Sequence, residues 1–334
     1  MSSKTNGTRR TKAKGPITFA VVIGLMLVVI IAGIEIVRRF QSRPVPTTIG
    51  SEAASVPFPR EIRDAAGQSL TIAAPPKRIV SQTLGTDEIL LAICPADRII
   101  ALSNLAEDDK YSNVVELARQ VPGRTTEGAE QIYKLQPDLI FVASYSRAET
   151  VELLKASHAP VFRFANFDSI ADIKSNIRIV GHATGCDAEA EKLIKKMDSD
   201  LEAIKARIPK GRSPLRVMSY GREGYTAGAN SLFDEIVRAA GAVNLSAEHG
   251  LKGFAKINVE KIADWQPDVI VAGGNHDDLE IKRKQLLADP VIAASPAGKT
   301  GRVFVMDNRH FLTVSQYVVK AVEDLANALY GNQQ

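Results

Sequence analysis

Residues 130–142 read E-Q-I-Y-K-L-Q-P-D-L-I-F-V, and residues 260–272 read E-K-I-A-D-W-Q-P-D-V-I-V-A. Glu130, Ile132, Pro137 and Asp138 match Glu260, Ile262, Pro267 and Asp268. Copies about 130 residues apart are too distant for a solenoid, whose repeats run to roughly 50 residues. They fit two similar lobes in one chain, and a two-lobed α/β protein usually works at the cleft between its lobes. In each copy, apolar residues at helical spacing (Ile132 and Leu135; Ile262 and Trp265) predict a short helix. Proline stops it, Asp sits at the turn, and the apolar run that follows predicts a strand buried on both faces. The bland alternative is a common α/β connection arising twice by chance, but the glutamate and its spacing repeat as well.

The charge is unevenly distributed. Residues 1–44 hold eight Lys or Arg and one acid, a net +7 set against +4 for the whole chain, so the remainder carries −3. The basic character belongs to the tail, and nothing in the globular part points to a nucleic-acid surface. Ile17 to Ile34 is an uncharged apolar run of eighteen residues, long enough to be a transmembrane candidate. Five basic residues precede it and three follow, which favours an inside N-terminus and an outside globular portion. A cleaved signal peptide is the rival reading, although Glu35-Ile-Val-Arg-Arg follows where a small-x-small site would stand. Cys94 and Cys186 are the two cysteines; two small buried thiols are the favoured reading, and a disulfide is the alternative.

The expected organisation is a basic cytoplasmic tail at 1–16, an anchor or signal at 17–37 and an extended tether at 38–59. An N-terminal α/β lobe at 60–168, a connecting helix at 169–210 and a C-terminal α/β lobe at 211–334 follow. Residues 60–73 predict a hairpin. Strands are expected at 78–81, 98–102, 139–143, 160–164, 215–219 and 302–306, with Thr86 capping the helix after the first of them. Residues 169–208 lack proline and keep helical periodicity throughout, which predicts a strut between the lobes with a bend marked at Gly185-Cys186. The fold class is therefore α/β: two similar Rossmann-like lobes joined by one long α-helix, preceded by an N-terminal transmembrane helix.

With these residues in hand, the chain resembles the substrate-binding proteins of ABC importers for iron-siderophores, haem and cobalamin. The resemblance rests on P-K-R-I-V-S-Q-T-L-G-T-D-E-I-L-L-A-I, the two E-x-I-x-x-x-x-P-D-[LV]-I units, F-D-E-I-V-R-A-A-G-A-V-N, and L-A-D-P-V with the later G-R-V-F-V-M-D. It covers about residues 75–330. It implies a ligand held between two lobes, limited closure about a stiff helix, and a glutamate on each lobe docking onto arginines of a dimeric membrane permease. Glu130 and Glu260 stand at those positions; helix-dipole stabilisation alone is the competing role. The partners it implies are a small metal chelate or cobalamin-like ligand and an ABC permease dimer, met by an extracytoplasmic monomer tethered to the membrane. An apolar anchor departs from the freed or lipid-anchored forms usual in that family.

Ligands of open α/β sheets bind outside the carboxyl ends of the strands. That rule selects Gln82, Thr83, Asn104, Tyr145 and Arg147 in the first lobe. In the second it selects Tyr220, Arg222, Asn275, His276, Arg309 and His310, with Phe254 as an added aromatic wall. The arginines suit an anionic chelate, and the aromatic rings suit a macrocycle or catechol. His276 and His310 are conceivable iron ligands but lie in no tight motif, so no metal site or cofactor is assigned; the ligand may itself carry Fe or Co. No G-x-S-x-G, Walker A or H-E-x-x-H motif occurs, and two cysteines are too few for a cluster enzyme, so the chain reads as a binding protein. A membrane-anchored ligand sensor or scaffold on the same fold is the second reading.

Overall fold

The computed structural model describes residues 56–64, 67–125, 129–155 and 159–331, and only the backbone of Arg222. The basic tail, the apolar run and the tether up to residue 55 lie outside the described residues, and with them the expected membrane helix. Among the described residues no helix is long and apolar enough to cross a membrane.

β1 (Arg60–Arg63) and β2 (Ser69–Ile72) pair as the expected antiparallel hairpin. The first lobe is a parallel sheet of β3 (Ile79–Ser81), β4 (Ile99–Ser103), β5 (Gly123–Thr125), β6 (Leu139–Ala143) and β7 (Val161–Phe164). Their spatial order is β5-β4-β3-β6-β7. In the second lobe come β8 (Arg216–Ser219), β9 (Tyr225–Ala227), β10 (Val243–Asn244), β11 (Phe254–Lys256), β12 (Val269–Gly274) and β13 (Val303–Asp307). Four of these form a parallel sheet ordered β10-β8-β12-β13, while β9 and β11 make a separate antiparallel ribbon. The chain builds each sheet outward from its first strand and then crosses to the other side. The order therefore reverses between β3 and β6, and between β8 and β12, which puts a crevice at the carboxyl ends of those pairs.

The sequence repeat has a hydrogen-bonding basis that the turn reading missed. Asp138 accepts from the backbone N–H groups of Lys77 (2.7 Å) and Arg78 (2.9 Å), and the Arg78 Nε donates to the Gln136 carbonyl at 2.9 Å. In the second copy Asp268 accepts from Arg216 N (2.9 Å) and Nε (3.2 Å), and Arg216 Nη2 donates to the Gln266 carbonyl at 2.7 Å. Gln136 and Gln266 both hold left-handed φ, 47° and 53°, a common way to end a helix ahead of proline. Each Gln-Pro-Asp thus locks the start of a buried strand to an arginine at the start of its lobe's first strand.

The helices used below are α1 (Leu84–Ile93), α2 (Ala129–Lys134), α3 (Ala148–Lys155), α4 (Ile170–Thr184), α5 (Asp187–Arg207), α6 (Leu232–Ala239), α7 (Glu260–Trp265), α8 (Leu279–Leu287), α9 (Asn308–Phe311) and α10 (Val318–Tyr330). Two expectations are corrected. α1 is capped by Thr83, whose Oγ1 accepts from Thr86 N at 3.5 Å, so Thr86 lies inside the helix. The single helix expected over 169–210 is two helices, because Gly185 takes φ 77° and ends α4. α5 runs back along α4: Lys174 pairs with Asp198, Arg178 Nε with Glu191 (2.6 Å) and His182 with Asp187 (3.2 Å). The connector is therefore α5 alone, 21 residues, about 31 Å at 1.5 Å per residue. Buried Arg60 fastens its root, donating to the His182 carbonyl (2.7 Å) and Asp187 (2.6 Å). One core of Ile89, Ile173, Ile177, Ile194, Met197, Phe233, Val322 and Leu325 runs along α1, α4, α5, α6 and α10, so the lobes share apolar packing on the hinge side.

Asp87, fully buried, ties α1 to the end of β4 by accepting from Ser103 N (3.2 Å) and Oγ (2.5 Å). Burial pushes its carboxyl up to about 7, against the lowering effect of the Ser103 and Ser81 bonds. A folded pKa above the unfolded one means that the folded state holds the proton more tightly. This contribution to stability is therefore complete below about pH 4 and lost as pH rises through about 7. Asp87→Asn removes the dependence: relative to the parent, the variant gains about 2–4 kcal/mol between about pH 4 and about pH 8, measured by urea unfolding. A constant difference would show that Asp87 does not titrate there. Asp268→Ala should cost about 1–2 kcal/mol by the same assay, and the more exposed Asp138→Ala less; equal near-zero costs would reduce the repeated lock to decoration.

Candidate functional site

On the first rim, the crevice between β3 and β6 is lined by the residues that leave those strands. The Gln82 backbone N–H donates to the Phe141 carbonyl at 3.0 Å, and buried Thr83 hydrogen-bonds the Tyr145 hydroxyl. The Tyr145 ring is 64% exposed, yet desolvation raises its pKa. Tyr145 therefore presents an exposed aromatic wall beyond the exit of β6. Phe167 extends that wall, its ring centroid 5.8 Å from that of Tyr145. Asn104 and Arg147 are exposed at the exits of β4 and β6. Beneath them Ser81, Thr83 and Thr86 form a buried hydroxyl chain, with oxygen separations of 2.6 and 2.7 Å.

On the second rim, Phe254 is 78% exposed on the β9–β11 ribbon beside exposed Tyr225, over whose ring Lys256 sits at 5.9 Å. Asn275 at the exit of β12 accepts from Asn308 Nδ2 at 3.1 Å, joining it to the exit of β13. His276 is exposed. Arg309 is half-buried and engaged by Asp307, with Nε to Oδ2 at 2.9 Å; that bond raises the arginine's pKa. Two residues are differently disposed from a ligand-facing group. Tyr220 packs into the apolar cluster of Met218, Ile262 and Ile292. His310 turns its Nδ1 onto Asp324 of α10 at 2.6 Å. Arg222 begins a short turn after β8, its side chain outside the described atoms. Among the described residues no three His, Cys, Asp or Glu side chains gather to hold a metal.

One carboxylate joins the two lobes. Glu88, 1% exposed on α1, accepts at Oε1 from Asn113 N (3.0 Å) and Nδ2 (2.8 Å). At Oε2 it accepts from Thr313 Oγ1 (3.1 Å) and Ser315 Oγ (2.5 Å), which follow α9 in the second lobe. Gln316 Nε2 donates to the Glu88 carbonyl at 2.9 Å, and Asn113 Nδ2 donates also to the Arg309 carbonyl at 2.7 Å. Four donors fill the acceptor sites of one carboxylate, and burial pushes its pKa up. Sequence reading passed over Glu88, although Leu84 and Leu91 flank it at helical spacing on an apolar face, where an acid needs partners. It also missed Phe167, in an irregular stretch, and Tyr225, at the start of the three-residue strand β9. A hollow of about 80 Å³ lined by Pro209, Leu215, Arg302 and Tyr330 lies at the opposite, amino-terminal edge of the second sheet; ligand sites run to roughly 300–1,000 Å³.

Glu130 and Glu260 occupy the same position in their lobes, each exposed in the first turn of the helix that precedes β6 or β12. These helices run antiparallel to the strands they feed, so both glutamates stand on the carboxyl-end side of their sheets, the side of the rims. Glu130 pairs with Lys134 at 2.9 Å, and Glu260 accepts from Asn258 at 2.6 Å. Such exposed local contacts are weak and exchangeable.

A model of the periplasmic binding protein family matches residues 79–310, from β3 through α9. Over 281 residues the chain is 26% identical to an uncharacterized ABC transporter substrate-binding lipoprotein, YvrC, of Bacillus subtilis, covering 82% of this chain and 86% of the relative. It is 26% identical over 277 residues to a cobalamin-binding protein of Halobacterium salinarum, covering 82% and 74% respectively. Among solved structures, the periplasmic heme-binding protein RhuT from Roseiflexus in its apo form aligns with TM-score 0.66 and 26% identity over 77% of this chain and 99% of that one. These relatives are solute-binding proteins, not enzymes. The matched span contains both sheets, both rims and the helix that joins them, and the chain belongs to the periplasmic binding protein family, the substrate-binding components of ABC importers.

Proposed function

We propose that this protein captures a metal chelate or a cobalamin-like corrinoid between its two rims and delivers it to a dimeric ABC permease. The observation that carries the reading is one sheet switch point in each lobe, with exposed aromatic rings near both and Glu88 joining the lobes. Tyr145 and Phe167 on one side and Phe254 and Tyr225 on the other offer flat apolar faces. Arg147, Arg222 and Arg309 supply cations for carboxylate or phosphate groups on the ligand. Gln82, Thr83, Asn104, Tyr220, Asn275, His276 and His310 complete the rims as polar or supporting groups. Cobalamin binding by the Halobacterium relative and haem binding by RhuT support a large planar ligand. The basic tail and the apolar run ahead of the tether support retention at the outer face of the membrane, with the lobes outside.

Glu130 and Glu260 present one carboxylate per lobe at equivalent positions, matching paired cations on a two-fold permease. Charge matching of this kind sets orientation and encounter rate more than affinity.

The test is a ligand panel on residues 56–334: cobalamin, haem, a ferric hydroxamate and molybdate, followed by thermal unfolding and Trp265 emission. A true ligand at a hundred times its Kd adds about 2.7 kcal/mol. Tyr145→Ala should weaken binding of that ligand about tenfold or more, about 1.4 kcal/mol, with little change in unfolding without ligand. No shift with any compound on folded protein would overturn the receptor reading. Glu130→Lys with Glu260→Lys should abolish uptake in cells while leaving the Kd unchanged; intact uptake would show that docking does not use these residues, and binding without uptake dependence would favour the sensor role.

A further inference from the structure

Cys94 and Cys186 are 92 residues apart in sequence, and their Sγ atoms lie 3.3 Å from each other, both buried. Cys94 caps the carboxyl end of α1, and Cys186 precedes the first turn of α5. We propose that these two thiols close a disulfide that pins the root of the connecting helix to the first lobe. The inference rests on the extracytoplasmic reading only for the oxidising surroundings that keep such a bond closed; the geometry is independent of it. A bonded pair stands at about 2.0 Å, so closure asks for a shift of little more than an ångström, within reach of small side-chain rotations.

The surroundings suit thiol–disulfide exchange. The Cys94 thiol bonds to Cys186 and to Thr184 Oγ1 at 3.2 Å. Arg98 approaches the Cys186 sulfur at 3.7 Å from Nη1 and is itself held by the Thr184 carbonyl at 2.7 Å. The Cys94 bond, with help from Thr184 and Arg98, lowers the Cys186 thiol, which favours Cys186 as the attacking sulfur. The Cys186 thiolate attacks one sulfur of an external disulfide, that of oxidised glutathione or of an oxidised dithiol oxidase, and expels a thiolate. Cys94 then gives up its proton and attacks the Cys186 sulfur of the mixed disulfide, expelling the second thiolate. One external disulfide is reduced by two electrons to two thiols, and the protons of Cys94 and Cys186 end on them or in solvent. Because both sulfurs are buried, the exchange proceeds while the chain folds or when the turn at Gly185 opens.

The bond would close a long loop containing β4, β5, β6, β7 and all of α4, and it would complete the clamp that Arg60 and Asp187 begin. The experiment uses the full chain, purified in detergent, refolded from denaturant in oxidised and reduced glutathione. Expected are loss of two hydrogens in intact mass, a Cys94–Cys186 cross-linked peptide, and no thiol reacting in denaturant until reductant is added. The reductant should lower Tm by about 5–10 °C, and Cys94→Ala and Cys186→Ala should each erase that difference. Two thiols titrating in denaturant after oxidative refolding of correctly folded protein would overturn the proposal. So would a linked pair whose reduction leaves Tm unchanged, since the bond would then pin nothing. Ligand binding by the panel above is unaffected by either result, so failure here and failure of the receptor reading are separable.

Discussion

The arrangement of the two rims depends on a buried carboxylate. Glu88 leaves the first lobe's leading helix and meets an amide and two hydroxyls, from Asn113, Thr313 and Ser315. An acid without cation partners survives in an apolar helix only when its acceptor sites are filled, because an unmet carboxylate costs several kcal/mol. Counting the Asn113 backbone N–H, two of the four donors to Glu88 come from the other lobe, so separating the lobes would strand the group. This makes the bridge a geometric constraint as much as a contribution to stability. It ties the first lobe's leading helix to the segment that follows α9 in the second lobe.

Limited closure follows from the same region. The resemblance to importer binding proteins assigned stiffness to one long helix. The structure instead distributes it: α5 is backed by α4, fastened at its root by Arg60 and Asp187, and tied at its far end to α10 through Arg207 and Glu323. The apolar core along these helices belongs to both lobes. Wide opening would expose that core and break the Glu88 bridge together, whereas a few degrees of rocking disturbs neither.

Much of the fold was legible because the signals were local. Continuous apolar runs such as Leu139–Ala143 could only be buried strands, and the repeated Gln-Pro-Asp marked both lobes. Two- and three-residue strands such as Val243–Asn244 and Gly123–Thr125 carry no alternation to read, so β10, β5 and the β9–β11 ribbon were missed. Gly185 was seen as a bend, yet periodicity on both sides concealed that the chain reverses there; the ion pairs between α4 and α5 settle it. In the site, the strand-exit rule names loops but cannot orient their side chains. His310 and Tyr220 illustrate this: each leaves a strand end near the cleft, and each is claimed by a local partner, Asp324 or an apolar cluster. Glu88 was hidden for the opposite reason, since its partners in the second lobe, Thr313 and Ser315, lie more than 200 residues away.

The most direct test of the two-rim site is hydrogen–deuterium exchange on residues 56–334 with and without the compound that raises Tm. Binding between the rims protects both the 82–86 and 144–147 segments of the first lobe and the 222–227, 252–256 and 308–316 segments of the second at saturating ligand, with the hinge helix unchanged. Protection confined to one lobe, or centred on the hollow near Pro209 and Tyr330, would contradict it.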